Sequence, residues 1–147
     1  MKKTILLIAF VFTTLVVQGQ SSEVFSNKKG AINGYDAVAY FTESKPVVGD
    51  TKFSTKWKEA TWYFSSKENL AAFKANPEKY APQFGGYCAY GTSQGHKAPT
   101  DPEAWTIVDG KLYLNYSKDV KKKWSKNQKE LIEQANAEWP KIKDATE

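Results

Sequence analysis

The sequence contains one cysteine and one histidine, and these two residues carry most of the chemistry that it offers. Cys88 and His96 are eight residues apart, and Tyr87 and Tyr90 flank the cysteine. A thiolate with an imidazole suits Cu(I), which accepts low coordination numbers, whereas tetrahedral zinc would require two further ligands. We therefore predict a metal site at Cys88 and His96, with Tyr87 and Tyr90 next to a bound cofactor.

Two other interpretations of the same pair stay open. Cys88 could act as a nucleophile with His96 as its base, but such catalysis normally needs a third group that orients the base, and the sequence identifies none. Alternatively, Cys88 is a small buried apolar residue, as free cysteines usually are, and His96 is a solvated loop residue. Asp101 and Glu103 could add oxygen ligands to a metal, although nothing in their spacing requires it.

The segment from 82 to 102 holds this pair and is rich in glycine and proline. Because this composition is unfavourable for a helix or a strand, we predict a long loop. A loop of that length in a small domain is usually functional or mobile.

The elements before this loop are marked by strand-forming residues and by helix-capping residues. Three stretches are predicted to be strands: 35–41, 52–54 and 61–64. The first of them could also be a short turn followed by a strand. Asp36 in the first stretch is expected to form a turn through its own backbone neighbours. Ser65 and Glu68 have the spacing of a capping box and predict the start of a helix, which Asn76-Pro77 ends.

The elements after the loop are a hairpin and a helix. Asp109-Gly110 suits a type I′ turn, in which both central residues need positive φ, so the flanking segments 105–108 and 112–116 are predicted to pair. The last helix is predicted over 118–138 and is ended by Pro140. Its apolar face consists of Val120, Trp124, Leu131 and Ala135.

The N-terminus has the pattern of a secretory signal. Lys2 and Lys3 precede an apolar run from Ile5 to Val17, and a small residue follows at Gly19. This run is well short of the roughly 20 residues that span a bilayer. We therefore predict a cleavable signal peptide over 1–19 and export to the periplasm or the medium, with no stable membrane span after cleavage.

The composition argues against nucleic acid as a partner. Every basic residue is Lys, and Arg, which makes bidentate contacts with phosphate and guanine, does not occur. Without Lys2 and Lys3, 19 basic residues face 16 acidic ones, and the formal net charge falls from +5 to +3. The single cysteine also excludes an intramolecular disulfide.

Four blocks of the sequence together resemble the exported, single-domain proteins of the YHS family. They begin at Gly34, Trp62, Asn76 and Gly85, and they read GYDAVAYF, WYFSS, NPEKY and GGYCAYG. The resemblance covers about residues 33–95. The remainder, with the predicted hairpin, looks like the extension that these proteins carry.

The resemblance implies a suspected role in metal handling, because YHS domains accompany metal-transporting ATPases and some oxygenases. In those relatives the aromatic strand leads into the pattern Phe-Cys-Ser-x-x-Cys, which places two thiols at the start of a helix. Ser65 and Asn69 occupy the two thiol positions here. A hydroxyl and an amide are weak ligands for soft metals, so the two-thiol site does not carry over and the metal prediction moves to Cys88.

The sequence thus predicts an α+β chain with a signal peptide at 1–19, a flexible lead-in at 20–33 and a YHS-like domain at 34–142. We expect short antiparallel strands, a capped central helix, a glycine-rich loop, a hairpin and a C-terminal amphipathic helix. The expected function is that of a binding or accessory module for a metal ion, copper first, or for a small ligand. The alternatives are a thiol-dependent enzyme that uses Cys88 with His96, and a purely structural or interaction domain.

Overall fold

The computed structural model describes residues 22–145, so the predicted signal peptide at 1–19 lies outside the described residues. The α+β prediction is confirmed, because this range combines three two-stranded antiparallel sheets with six α-helices. The strands are β1 (Ser26–Asn27), β2 (Gly30–Ala31), β3 (Asp50–Trp57), β4 (Ala60–Phe64), β5 (Trp105–Val108) and β6 (Lys111–Leu114). The helices are α1 (Ala39–Thr42), α2 (Lys67–Ala75), α3 (Pro77–Tyr80), α4 (Ala89–Ser93), α5 (Lys118–Lys126) and α6 (Gln128–Ile142). In the described range no helix is both long and apolar enough to cross a membrane.

Strands β3 and β4 form the longest hairpin and support helix α2. The two strands pair in antiparallel register, with an irregularity between Asp50 and Ser54. Alternate residues of β4 point inward, and the rings of Trp62 and Phe64 lie with their centroids 5.0 and 4.9 Å from that of Phe73 in α2. The predicted pair of strands followed by a helix is confirmed.

Helix α2 begins one residue later than the capping-box spacing predicts. The Oγ of Ser66, rather than that of Ser65, accepts a hydrogen bond of 3.1 Å from the backbone N–H of Asn69. Ser65 therefore makes a different set of hydrogen bonds, which belongs to the candidate site described below.

The residues from 22 to 33, where we expected a flexible lead-in, are packed against the rest of the domain. Val24 is only 1% exposed, and the backbone N–H of Phe25 donates a 2.8 Å hydrogen bond to the carbonyl of Gly85. Gly85 has φ +62°, and a Cβ at this position would lie 1.7 Å from the carbonyl oxygen of Glu23. Only glycine permits so close an approach. The N-terminal segment is therefore part of the domain.

The stretch from 35 to 41 does not form the predicted strand, because it turns into helix α1. The Oδ1 of Asp36 accepts hydrogen bonds from the N–H groups of Val38, at 2.9 Å, and Ala39, at 3.1 Å. An Asp in this position satisfies N–H groups that lack helical partners and so favours a helical turn. The turn-forming role predicted for Asp36 is confirmed, and it outweighs the strand propensity of its neighbours.

The segment from 82 to 102 is more regular than the predicted loop. A 3-10 turn spans Gln83–Gly86 and is followed by α4, and most residues between 84 and 93 are buried. Gly85 and Gly86 adopt positive φ in the turn before the helix, so these glycines do not interrupt α4. The longest stretch without helix or strand is the part after α4, from 94 to 104.

The hairpin of β5 and β6 is confirmed, including its turn. Trp105 pairs with Leu114 and Val108 with Lys111. Asp109, with φ 50°, occupies the left-handed region together with Gly110, with φ 72°, as a type I′ turn requires.

The predicted last helix is two helices. Asn127 has φ −131° and ψ 39°, which are not helical values, and it separates α5 from α6. Pro140 does not end α6 but lies inside its last turn, where it leaves the carbonyl four residues earlier without its helical N–H partner and the helix continues for two more residues. The predicted apolar face is largely confirmed, since Trp124, Leu131 and Ala135 are buried.

Strand β6 joins two hydrophobic clusters. Leu112 and Leu114 belong to the cluster that includes Phe73 and the inner face of β4. Tyr113, between them, points to the opposite side and stacks on Trp124 at 5.5 Å in the second cluster. Because successive strand residues face opposite sides, one short strand closes both clusters. The hairpin of β5 and β6 thus completes the core that β4 and α2 begin.

Candidate functional site

Cys88 is buried at the start of helix α4, where its sulfur caps the helix. The side chain is 2% exposed. Its Sγ accepts hydrogen bonds from the N–H groups of Gly91, at 3.4 Å, and Tyr116, at 3.2 Å. The S–H donates to Oδ1 of Asn115 at 3.5 Å. The sulfur therefore meets two donors and one acceptor, and no side-chain base is among them.

Asn115 holds the cysteine loop against the end of β6. It is fully buried, and its Oδ1 also accepts a hydrogen bond of 3.1 Å from the backbone N–H of Tyr90. This N–H fixes the orientation of the amide, because a flipped amide would present its NH2 group to another donor. Its Nδ2 has no hydrogen-bond partner among the described residues. A group that approached Nδ2 would have to accept a hydrogen bond from it. Because Oδ1 already accepts two hydrogen bonds, Asn115 does not offer a free oxygen to a cation.

His96 lies on the same loop but is exposed to solvent. Its imidazole approaches Gly91, since a Cβ at that glycine would lie 3.4 Å from Nε2 and 3.3 Å from the His96 carbonyl oxygen. The backbone N–H of His96 also donates to the Gly91 carbonyl at 3.1 Å. The Sγ of Cys88 and the imidazole of His96 therefore both lie next to Gly91.

The two tyrosines beside Cys88 point into packing contacts. The hydroxyl of Tyr87 donates to the carbonyl of Ser22 at 2.9 Å, and its ring contacts Phe25 and Trp139. The ring of Tyr90 packs against the second hydrophobic cluster. Both residues are thus near Cys88 in the chain, while their rings contribute to the interior.

The acidic residues considered as additional ligands form a local turn. Asp101 Oδ1 accepts a hydrogen bond of 2.9 Å from the backbone N–H of Glu103. Among the described residues, no group of three or more His, Cys, Asp and Glu side chains is arranged to hold a metal ion. A metal at Cys88 would therefore rest on two protein donors.

A second polar cluster lies at the start of helix α2 and was not predicted as a unit. Asp36 is fully buried, and its Oδ2 accepts hydrogen bonds from the Ser65 N–H at 2.8 Å, the Ser65 hydroxyl at 2.6 Å and the Asn69 Nδ2 at 2.8 Å. The Ser65 Oγ and the Asn69 Nδ2 are 3.4 Å apart. These are the two positions at which the resemblance implies thiols. The match of Ser65 and Asn69 to the two thiol positions was the signal that the sequence offered for this cluster. The contact with Asp36 had no local signal, because Asp36 and Ser65 are 29 residues apart in the sequence.

Tyr40 is the residue whose titration the fold changes most. Its ring is completely buried, and its hydroxyl donates a 2.9 Å hydrogen bond to the carbonyl of Pro102. Burial raises the pKa of this hydroxyl far above its usual value, and nearby groups add to the effect, namely Tyr35, Glu103, Asp101 and Asp36. Tyr40 therefore stays protonated and acts as a hydrogen-bond donor that ties α1 to the segment before β5.

The comparison with protein families identifies one match. Residues 38–84 match the family model of the YHS domain. The matched segment runs from just before α1 into the 3-10 turn, so it contains Ser65 and Asn69 and ends before Cys88. No curated protein and no solved structure was found to match the chain.

Proposed function

We propose, on the match of residues 38–84 to the YHS domain model, that the protein is an exported binding module that takes a soft metal ion, Cu(I) in the first place, at Cys88 with His96 as the second donor. The signal-like pattern of residues 1–19 supports export. The family resemblance supports metal handling. The helix start of α2 is not the proposed metal site, because its carboxylate is already saturated by hydroxyl, amide and backbone donors.

The observation that carries this proposal is the position of Gly91. Its N–H donates to the sulfur of Cys88, and the imidazole of His96 also lies beside it. A movement of Gly91 would allow the thiol and the imidazole to approach the same ion. Glycine suits such a shift, since it has no Cβ to obstruct either donor. Two-coordinate Cu(I) needs no more than this sulfur and this nitrogen.

Metal binding at Cys88 requires a local opening of the loop. The N–H groups of Gly91 and Tyr116 both donate to Sγ, and a bound ion would have to replace those contacts. Helix α4 has only five residues, but it packs against the longer helix α6, so opening its first turn would also disturb that contact. We therefore expect slow uptake, limited by this opening.

The enzyme alternative receives less support from the geometry. A catalytic thiol needs a base within hydrogen-bond reach. The side chain that contacts Sγ is Asn115, an amide that cannot accept a proton at neutral pH, and His96 is not among the groups hydrogen-bonded to Sγ. The thiol is also almost completely buried. A reacting molecule would have to enter the interior of the domain to meet it.

The proposal is tested by titrating the reduced protein with Cu(I) in competition with a chromogenic chelator. We expect one Cu(I) per chain, loss of this binding in Cys88→Ser, and at least tenfold weaker binding in His96→Gln. The control is Cys88→Ser combined with Ser125→Cys, which moves the single thiol to an exposed position on α5.

This control should not restore the tight site, because position 125 lacks the neighbouring imidazole. Unchanged binding in folded Cys88→Ser would overturn the proposal. If no Cu(I) binds and the thiol reacts only after denaturation, Cys88 has the structural role of a buried helix cap.

A further inference from the structure

A cleft lined by segments far apart in the chain points to a second ligand. It has a volume of about 170 Å³ and lies where the β3–β4 turn, the 81–85 segment and helix α6 meet. Neither Cys88 nor His96 lines it. We propose that this cleft is a binding site for a neutral saccharide. The argument rests on six lining residues: Trp57, Lys58, Glu78, Gln83, Asn136 and Trp139.

The two tryptophans supply apolar surfaces that the core holds in place. The ring of Trp57 is half-buried and makes edge contacts with Trp62 and Phe73, both at 5.8 Å between centroids. The ring of Trp139 is also half-buried and contacts Phe84 at 6.1 Å. Each ring thus has one part fixed by the interior and another part open to the cleft. A ligand would find these surfaces already ordered, which lowers the entropic cost of binding.

The polar side chains of the cleft are largely unengaged. Glu78, Gln83 and Asn136 make no side-chain hydrogen bond and no ion pair within the described part of the chain. Lys58 is paired with Glu23, at 3.0 Å between Nζ and Oε1. The cleft therefore offers a carboxylate that accepts hydrogen bonds and two amides that both donate and accept.

The charges in the cleft favour a neutral ligand over an ion. The Nζ of Lys58 already lies 4.7 Å from the Trp57 ring centroid, and the Nζ of Lys97 lies 5.9 Å from that of Trp139. Each indole thus has one of the protein's own ammonium groups within cation–π distance, and these positive charges would repel a cationic ligand. An anionic ligand would meet the carboxylate of Glu78 instead.

A sugar ring fits both features of the cleft. Its C–H groups can pack on the indoles, and its hydroxyls can both donate to Glu78 and exchange hydrogen bonds with the amides of Gln83 and Asn136. This inference is independent of the proposed metal function, because the two sites share no residue named in either argument.

The test is a titration of the 15N-labelled protein without the predicted signal peptide, residues 20–147, with neutral saccharides, read from the indole N–H signals in NMR spectra. The probes are methyl β-glucoside, N-acetylglucosamine and maltotriose, and choline and acetate represent the two charged classes. We expect at least one saccharide to shift the signals of Trp57 and Trp139 in a saturable way and to leave that of Trp105 unchanged.

The variants place the ligand in the cleft. Asn136→Phe should fill it and abolish the shifts, and Glu78→Ala should weaken binding roughly tenfold by removing one hydrogen-bonded charge. Ala137→Phe is the matched control, since it adds an aromatic ring to the next exposed position of α6, which does not line the cleft. The proposal is overturned if no saccharide shifts these signals, if only choline or acetate does, or if Asn136→Phe and Ala137→Phe behave alike.

Discussion

Replacing Asp36 by Asn tests the main long-range contact of the α2 cluster. The substitution keeps the size and shape of the side chain but removes its charge and one acceptor oxygen. In the native domain, five donors converge on this carboxylate, from the backbone of Val38, Ala39 and Ser65 and from the side chains of Ser65 and Asn69. An amide has only one oxygen with which to satisfy them.

The expected loss of stability follows from the donors that are left without an acceptor. If the oxygen of the introduced amide faces the backbone of Val38 and Ala39, the Ser65 N–H and the Asn69 amide lose their acceptor. If the introduced amide is flipped, the two backbone groups lose theirs instead. An unsatisfied buried donor costs about 1–3 kcal/mol. Relief from burying a charge offsets part of that sum. We therefore expect a decrease of about 3 kcal/mol in the free energy of unfolding, or roughly 10 °C in Tm.

The measurement is urea unfolding followed by far-UV circular dichroism, with the m-value compared between variants. Asn69→Ala removes a single donor and should cost no more than about 1 kcal/mol. The exchange variant Asp36→Asn with Asn69→Asp reverses the carboxylate and the amide across the same 2.8 Å contact, so it should recover part of the loss. A loss below about 1 kcal/mol in Asp36→Asn, at unchanged m-value, would refute the reasoning, because five convergent donors would then contribute almost nothing.

Two further predictions concern this region of the domain. Burial raises the pKa of Tyr40, so above about pH 10 the unfolded chain releases a proton that the folded state retains, and stability falls as pH rises. Tyr40→Phe should therefore lose less stability between about pH 9 and 11 than the parent protein does, with the exposed Tyr116→Phe as the matched control, and equal slopes would contradict this. The double variant Ser65→Cys with Asn69→Cys places two thiols beside the Asp36 carboxylate, at positions whose native Oγ and Nδ2 atoms are 3.4 Å apart. We expect this variant to bind Co(II) with thiolate charge-transfer bands. Absorption no different from that of the parent protein would show that two thiols at these positions are not enough to form a metal site in this chain.

Elements whose signals are local could be predicted from the sequence. The hairpin of β5 and β6 depends on Asp109-Gly110, whose backbone preference matches the turn without help from the rest of the chain. Asn76-Pro77 similarly ends α2 at the predicted position. In both cases the determining residues are adjacent, so no knowledge of tertiary contacts is needed.

Elements fixed by contacts that are distant in sequence were predicted less well. The first turn of α1 forms where strand propensity was expected to prevail, because Asp36 caps it and is itself held by Ser65 and Asn69. The capping-box spacing identified a helix start but assigned Ser65 the role that Ser66 performs. The predicted cap is one residue too early because Ser65 hydrogen-bonds to the carboxylate of Asp36, which lies outside the local pattern.

The candidate sites divide in the same way. Cys88 and His96 could be selected from residue type and spacing, but their common contact with Gly91 depends on how α4 folds. The cleft near Trp57 and Trp139 had no signal in the sequence, because its lining comes from segments far apart in the chain. Only the packing of α6 onto the first half of the domain brings these two rings together.

The role of Cys88 as a helix cap does not by itself explain why the residue is a cysteine. Its Sγ caps α4 at 3.4 Å from the N–H of Gly91, just as the hydroxyls of Ser66 and Ser117 cap α2 and α5 at 3.1 Å. A hydroxyl is the stronger acceptor. At position 88 it would also find donors at Gly91 and Tyr116 and an acceptor at Asn115, so its burial would leave nothing unsatisfied.

Serine at 88 should therefore preserve the fold, which is what makes Cys88→Ser a fair test of the metal proposal. What serine cannot reproduce is the affinity of sulfur for soft metal ions and its reactivity. The hydrogen bonds around Sγ thus give sulfur no structural task that oxygen could not perform. The reason for a thiol at this position has to be sought in its chemistry or in the small apolar volume that sulfur fills, and Cu(I) titration of the serine variant distinguishes the two.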